Sequence, residues 1–136
     1  MKLSKNFSEE EFTCPCGYCI LTTPNHKLVD KLQELRDMVG KPIKVTSGLR
    51  CKNYNALIGG YPNSPHITGM AADITCKIPM AIFATVASTI FSRIGLYPDN
   101  NFIHVDICKP NPSKAWIRRK GVYTYYKTFV EALNNL

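Results

Sequence analysis

The sequence predicts an α+β fold in a single compact domain, a small antiparallel sheet with helices packed around it. Three observations carry this expectation. Residues 28–39 hold an apolar stripe at helical spacing, and two short segments, 43–47 and 102–108, alternate as strands do. No regular strand–helix–strand repeat links them, which disfavours a parallel α/β architecture. With 136 residues, 45% of them hydrophobic, the chain can bury one modest core.

In chain order, Ser8 followed three residues later by Glu11 has the form of a capping box, so residues 8–12 are expected to make a short helical turn. Thr23 with Pro24 marks a helix start. Leu28, Val29, Leu32, Leu35, Met38 and Val39 then recur on one helical face, and Gly40 with Pro42 ends the run. Residues 43–47 read as a strand, and 51–58 as a short helix stopped by Gly59-Gly60. Ala71-Ala72-Asp73-Ile74 reads as a strand entry, and 79–93 as an apolar helix that starts at Pro79 and ends before Gly95. On a strand over 102–108, His104 and Asp106 share a face with Phe102, while Ile103, Val105 and Ile107 point to the core. Residues 121–126 suggest one more strand, followed by a closing helix to Leu136.

The formal charge of +7 is spread along the chain, densest at Arg118-Arg119-Lys120. It suits a soluble basic surface or attraction to a polyanion, either nucleic acid or an anionic cell wall. No nucleic-acid-binding motif accompanies it, so no nucleic-acid partner is expected. No apolar run approaches the ~20 residues that cross a membrane, and Met1–Phe7 is too polar for a secretory signal. The expectation is a monomer made in a cytoplasm, with any export by another route such as host lysis.

Cys14, Cys16 and Cys19 lie close together, and Cys16-Gly17-Tyr18-Cys19 has a C-x-x-C spacing that suits a zinc knuckle. A matching second pair is missing, so a structural zinc needs Cys51 or a histidine to complete it. A disulfide formed after release and plain free thiols are the alternatives, since cytosolic thiols stay reduced. Cys76 and Cys108, shortly after Asp73 and His104 respectively, are expected to be neighbours in space.

Two of the three histidines fall in segments with chemical potential: His66, with Asp73 seven residues on, and His104. Together they form a two-histidine, one-carboxylate set, the type that holds a catalytic zinc and leaves a position for water. Gly69 between the first two allows a sharp turn that returns both side chains to one point. Spacing alone does not separate such a centre from a satisfied histidine and a turn-capping aspartate, because it matches no common zinc motif.

The segments Thr46-Ser47-Gly48-Leu49-Arg50, Asn53-Tyr54-Asn55, Gly59-Gly60 and Asn63 through Asp73 resemble the zinc D-Ala-D-Ala carboxypeptidase-type peptidoglycan metallopeptidases. So do Gly95-Leu96-Tyr97-Pro98, Asn101 through Asp106, and Trp116. That family shares its fold with the hedgehog signalling domain and lysostaphin-like endopeptidases. The likeness is to the branch with murein endopeptidases and phage lytic peptidases. It implies one catalytic zinc held by His66, Asp73 and His104, and Arg50 on a substrate carboxylate or developing oxyanion. Ser64, Tyr97 and Trp116 are the further substrate-contact candidates, and bacterial peptidoglycan is the implied partner. A phage or virus product, acting on the wall after release or carried on the virion, fits the missing signal.

Family members of the carboxypeptidase type place an acid three residues before the last histidine, where this chain has Asn101. Asp99 and Asp106 remain as bases. Asp106 is preferred because strand alternation aims it toward the metal side, although it can instead orient a ligand through a hydrogen bond. Asn101 also motivates a second reading, a non-catalytic zinc-containing wall-binding or virion structural protein.

Overall fold

A computed structural model describes residues 1–109 and 114–136. Helix α1, His26–Val39, buries Leu28, Val29, Leu32 and Leu35, and burial of each such side chain is worth ~1.5–3 kcal/mol. It begins two residues beyond Pro24, because Asn25 caps it by accepting the Lys27 N–H at 2.8 Å. Gly40, at φ 66°, ends it in the left-handed conformation. Strand β1 is Ile43–Ser47, helix α2 is Lys52–Leu57 and strand β2 is Ala71–Cys76. A 3₁₀ turn at Glu9–Glu11 stands where the capping box predicts one, with the Ser8 N–H donated to Glu11 at 2.7 Å.

Helix α3, Met80–Ser88, is shorter than the apolar run suggests. Residues 89–92 of that run turn instead, and Arg93 already begins strand β3, Arg93–Tyr97, which pairs on both sides. Two ladders of backbone hydrogen bonds outweigh the helical pattern there. Strands β4, Phe102–Asp106, β5, Ala115–Arg119, and β6, Val122–Tyr126, precede helix α4, Phe129–Asn134. No pattern in the sequence predicts strand β5. The β5–β6 hairpin turns through Lys120 and Gly121, both at positive φ (50° and 78°), as a two-residue hairpin requires.

Among the described residues, six strands form one sheet in the order β1-β2-β4-β3-β5-β6, antiparallel except for the β3–β5 pair. Ala72, Ile74, Ile94, Leu96, Ile103, Val105, Ala115 and Ile117 point to one face and join the buried residues of α1, α3 and α4 in a single core. Antiparallel pairing of β2 with β4 sends Cys76 and Cys108 to opposite ends of the ladder, so the expectation that they are neighbours is wrong. Among the described residues no helix is long and apolar enough to cross a membrane.

Candidate metal centre

Strand register builds the other face of the sheet. One row of cross-strand neighbours takes a residue from every strand: Ser47, Asp73, His104, Gly95, Trp116 and Tyr125. Asp73 and His104 are directly opposed, the closest placement two strands allow their side chains. His66 comes from outside the sheet, in the turns between α2 and β2. Gly69, at φ 73°, bends the chain back there so that His66 meets Asp73.

Asp73 Oδ1 lies 3.2 Å from His66 Nε2 and 3.1 Å from His104 Nδ1. All three residues are buried, and one donor atom from each lies within 4.8 Å of the others. The far nitrogens are engaged behind the cluster. His66 Nδ1 meets the Gly48 carbonyl at 2.7 Å, and His104 Nε2 meets Asp106 Oδ2 at 2.8 Å. A ring that donates from its far nitrogen presents a lone pair at the near one. Two imidazole nitrogens and a carboxylate oxygen, converging with their outer partners fixed, are a donor set that zinc accepts.

The electrostatics follow the same pattern. Burial pushes the His66 pKa down. Burial opposes ionisation of Asp73, but hydrogen bonds from His104 and His66 hold its carboxyl well below the usual range. Burial also works against charge on His104, yet its bonds to Asp106 and Asp73 hold that ring's pKa up at about 9. A proton on His104 Nδ1 sits where a divalent cation would bind.

Arg50 braces the carboxylate from its other oxygen. Nη2 donates to Asp73 Oδ2 at 3.1 Å, Nε to Ser47 Oγ at 3.0 Å and Nη1 to Asn55 Oδ1 at 3.2 Å. A guanidinium has five N–H groups, so two stay free for a ligand.

These residues can be set beside known proteins. The chain matches the family described as peptidase M15 over residues 5–106. The chain belongs to the peptidase M15 family. No curated protein matches it. The matched span of this M15 peptidase includes Arg50, His66, Asp73, His104 and Asp106, while Trp116 and the β6 tyrosines lie beyond it.

Of the expected bases, Asp106 does share the face of His104, but its carboxylate lies against the ring nitrogen that Asp73 does not use. Its Oδ1 accepts the Cys108 N–H at 3.1 Å, and Arg93 Nε lies 3.6 Å from Oδ2. Asp99 is occupied elsewhere, accepting the Lys120 N–H at 2.6 Å in the hairpin turn. Asn101 is exposed in the β3–β4 turn at φ 54°.

The substrate-contact candidates form the surround. Ser64 is buried, and its hydroxyl accepts the His66 N–H at 3.3 Å. Trp116 leans on His104 with ring centroids 5.1 Å apart and donates its Nε1–H to Tyr97 Oη at 3.1 Å. Burial pushes the Tyr97 hydroxyl pKa well up. Tyr123 and Tyr125 continue this aromatic surface outward and are exposed.

Five contributors carry no role that the sequence reading assigns. Gly48 supplies the carbonyl behind His66. Asn55, buried, ties Arg50 to the Tyr61 carbonyl, and Gly60 leaves that amide its space. Gly95 lacks the Cβ that would strike the Trp116 indole. Arg93 stacks on Trp116, 5.0 Å from the ring, beside Asp106. The motif Asn53-Tyr54-Asn55 with Gly59-Gly60 already held the signal for the Asn55–Gly60 pair.

Proposed function

We propose that this M15 peptidase is a zinc-dependent hydrolase of peptide bonds in the stem peptides or cross-links of bacterial peptidoglycan. The observation that carries the reading is the convergence of His66 Nε2 and His104 Nδ1 on Asp73 Oδ1, each ring backed by an acceptor on its far nitrogen. His66, Asp73 and His104 would hold a zinc ion, whose chemistry there would be to acidify a water and polarise the scissile carbonyl.

The chain's own residues do the rest. Gly48 and Asp106 fix the two imidazole orientations, so the ligand set is formed before substrate arrives. Arg50 keeps Asp73 turned toward the histidines, and its two remaining N–H groups meet a substrate carboxylate or the developing oxyanion. In this reading Asp106 is a positioning residue and not the carrier of the proton, because both of its oxygens are engaged behind His104. Trp116 and Tyr97 support the floor, and exposed Tyr123 and Tyr125 extend it toward the glycan strand. The charge of +7 favours approach to an anionic wall. The resemblance to phage lytic peptidases supports a phage-encoded lytic enzyme as the source.

Digestion of defined muropeptides by the zinc-loaded protein, followed by mass spectrometry, tests the proposal and identifies the bond. Gain of one water and a new amine are expected, and His66→Ala should abolish both. A second reading, a non-catalytic zinc-containing wall-binding protein, is favoured by the engagement of Asp99 in the Lys120 turn and by Asn101 at the family's acidic position. Binding to purified sacculi with no new amine at any zinc concentration supports that second reading.

A further inference from the structure

A second convergence of ligand atoms lies in the N-terminal loop. Sγ atoms of Cys14, Cys16, Cys19 and Cys51 all lie within 4.8 Å of one another. A tetrahedral ion with Zn–S bonds of ~2.3 Å places its sulfurs ~3.8 Å apart, so the cluster needs little adjustment to close on a metal. All four are free thiols in the structure.

The surrounding backbone treats these sulfurs as acceptors. The N–H groups of Tyr18 and Cys19 both point to Cys16 Sγ at 3.3 Å. The Cys51 N–H points to Cys14 Sγ at 3.3 Å, and the Tyr54 N–H to Cys51 Sγ at 3.4 Å. Amide donors converging on sulfur stabilise thiolates, the form that binds metal. Gly17, at φ 76° and with open space around it, makes the tight turn that lets Cys16 and Cys19 face one point.

The start of the loop is tied to the body by the Leu49 N–H, which donates to the Phe12 carbonyl at 2.8 Å. Phe12 and Cys14 are buried at its start, but Tyr18 and Ile20 are almost fully exposed, so apolar burial does not anchor the outer part of the loop. Cys51 is remote in sequence from the other three, caps α2 and directly follows Arg50.

We propose that Cys14, Cys16, Cys19 and Cys51 bind one structural zinc ion in an all-thiolate site that fastens the N-terminal loop to the start of α2. This site is separate from the His66–Asp73–His104 group and stands whether or not that group hydrolyses peptides. Its consequence is local: the segment Gly48-Leu49-Arg50-Cys51 is held at one end by the thiolate site and supplies both the carbonyl behind His66 and the guanidinium beside Asp73.

Cobalt substitution of the full-length protein under reducing conditions separates the two sites, because only thiolates give intense near-ultraviolet charge transfer to Co(II). The wild type should show that band at one equivalent per chain, and His66→Ala with His104→Ala should retain it. Cys16→Ser and Cys51→Ser should each lose it, and elemental analysis should find two zinc ions in the wild type and one in these variants. If a cysteine variant does not fold, the wild-type spectrum still decides. Absence of the charge-transfer band in folded wild-type protein overturns the proposal. So does a mass deficit that maps a disulfide within these four residues in protein isolated from a reducing cytoplasm.

Discussion

Asp106 and His104 are joined by a 2.8 Å hydrogen bond through the ring nitrogen that Asp73 leaves unused. This places a fully buried carboxylate behind the imidazole that faces the ion in the proposed zinc centre, where it sets the ring's orientation and basicity.

Asp106→Asn should therefore weaken zinc binding by about 10–100-fold while leaving most of the turnover once zinc is saturating. Activity measured across a zinc titration distinguishes the roles. If Asp106 were the proton carrier, activity would stay lost at every zinc concentration.

Arg50→Lys keeps the charge but cannot reach Ser47, Asn55 and Asp73 together. With zinc bound, activity should fall by roughly 10²–10³, the scale for loss of an oriented donor at an oxyanion. Asn55→Ala should lower thermal stability as well, by ~1–3 kcal/mol, because the Tyr61 carbonyl and an Arg50 N–H both lose their partner. Circular dichroism melts together with steady-state rates check the pair. An unchanged rate in Arg50→Lys would remove Arg50 from the mechanism.

Gly95→Val places a side chain where the indole of Trp116 lies. The overpacking should cost ~1–3 kcal/mol and push the indole away from His104. Trp116 is the only tryptophan in the chain, so intrinsic fluorescence reads this displacement directly. The emission should shift red, and its response to added zinc should shrink. A wild-type spectrum in Gly95→Val refutes the packing argument.

In the proposed centre zinc competes with a proton on His104, whose pKa is held up at about 9. Raising pH from 6 toward 9 removes that competitor, so apparent zinc affinity should rise across this window. At a hundredfold excess over its dissociation constant, zinc should stabilise the fold by ~2.7 kcal/mol, and chelation should reverse this and abolish hydrolysis. Isothermal titration at several pH values provides the check. An affinity that does not change with pH would exclude His104 as a ligand.

Much of this organisation is legible along the chain. Periodicity finds α1, β1 and β4, and alternation on β4 correctly groups His104 with Asp106. It does not say which side of the imidazole Asp106 occupies, since that depends on the Cys108 amide and Arg93 closing around it from neighbouring segments. Residues 79–93 read as one helix because apolar content alone cannot reveal that the chain turns after Ser88 and enters β3, which is hydrogen-bonded on both edges. Trp116 sits beside His104 only because the parallel β3–β5 pairing aligns it with Gly95, a long-range register invisible to local pattern. The Cys14–Cys51 proximity is legible as composition, but its closure depends on how the loop lies over Gly48.

The six-strand row from Ser47 to Tyr125 makes the site unusually unforgiving of changes in strand length. One residue inserted within β2 or β4 inverts every side chain beyond it, turning Asp73 or His104 into the apolar core and an isoleucine or valine out to replace it. The same insertion between strands leaves the row in phase. Insertional scanning should therefore draw the site's outline without touching any of its residues: sharp intolerance inside the strands, latitude at the hairpin tips, and a boundary between them one residue wide.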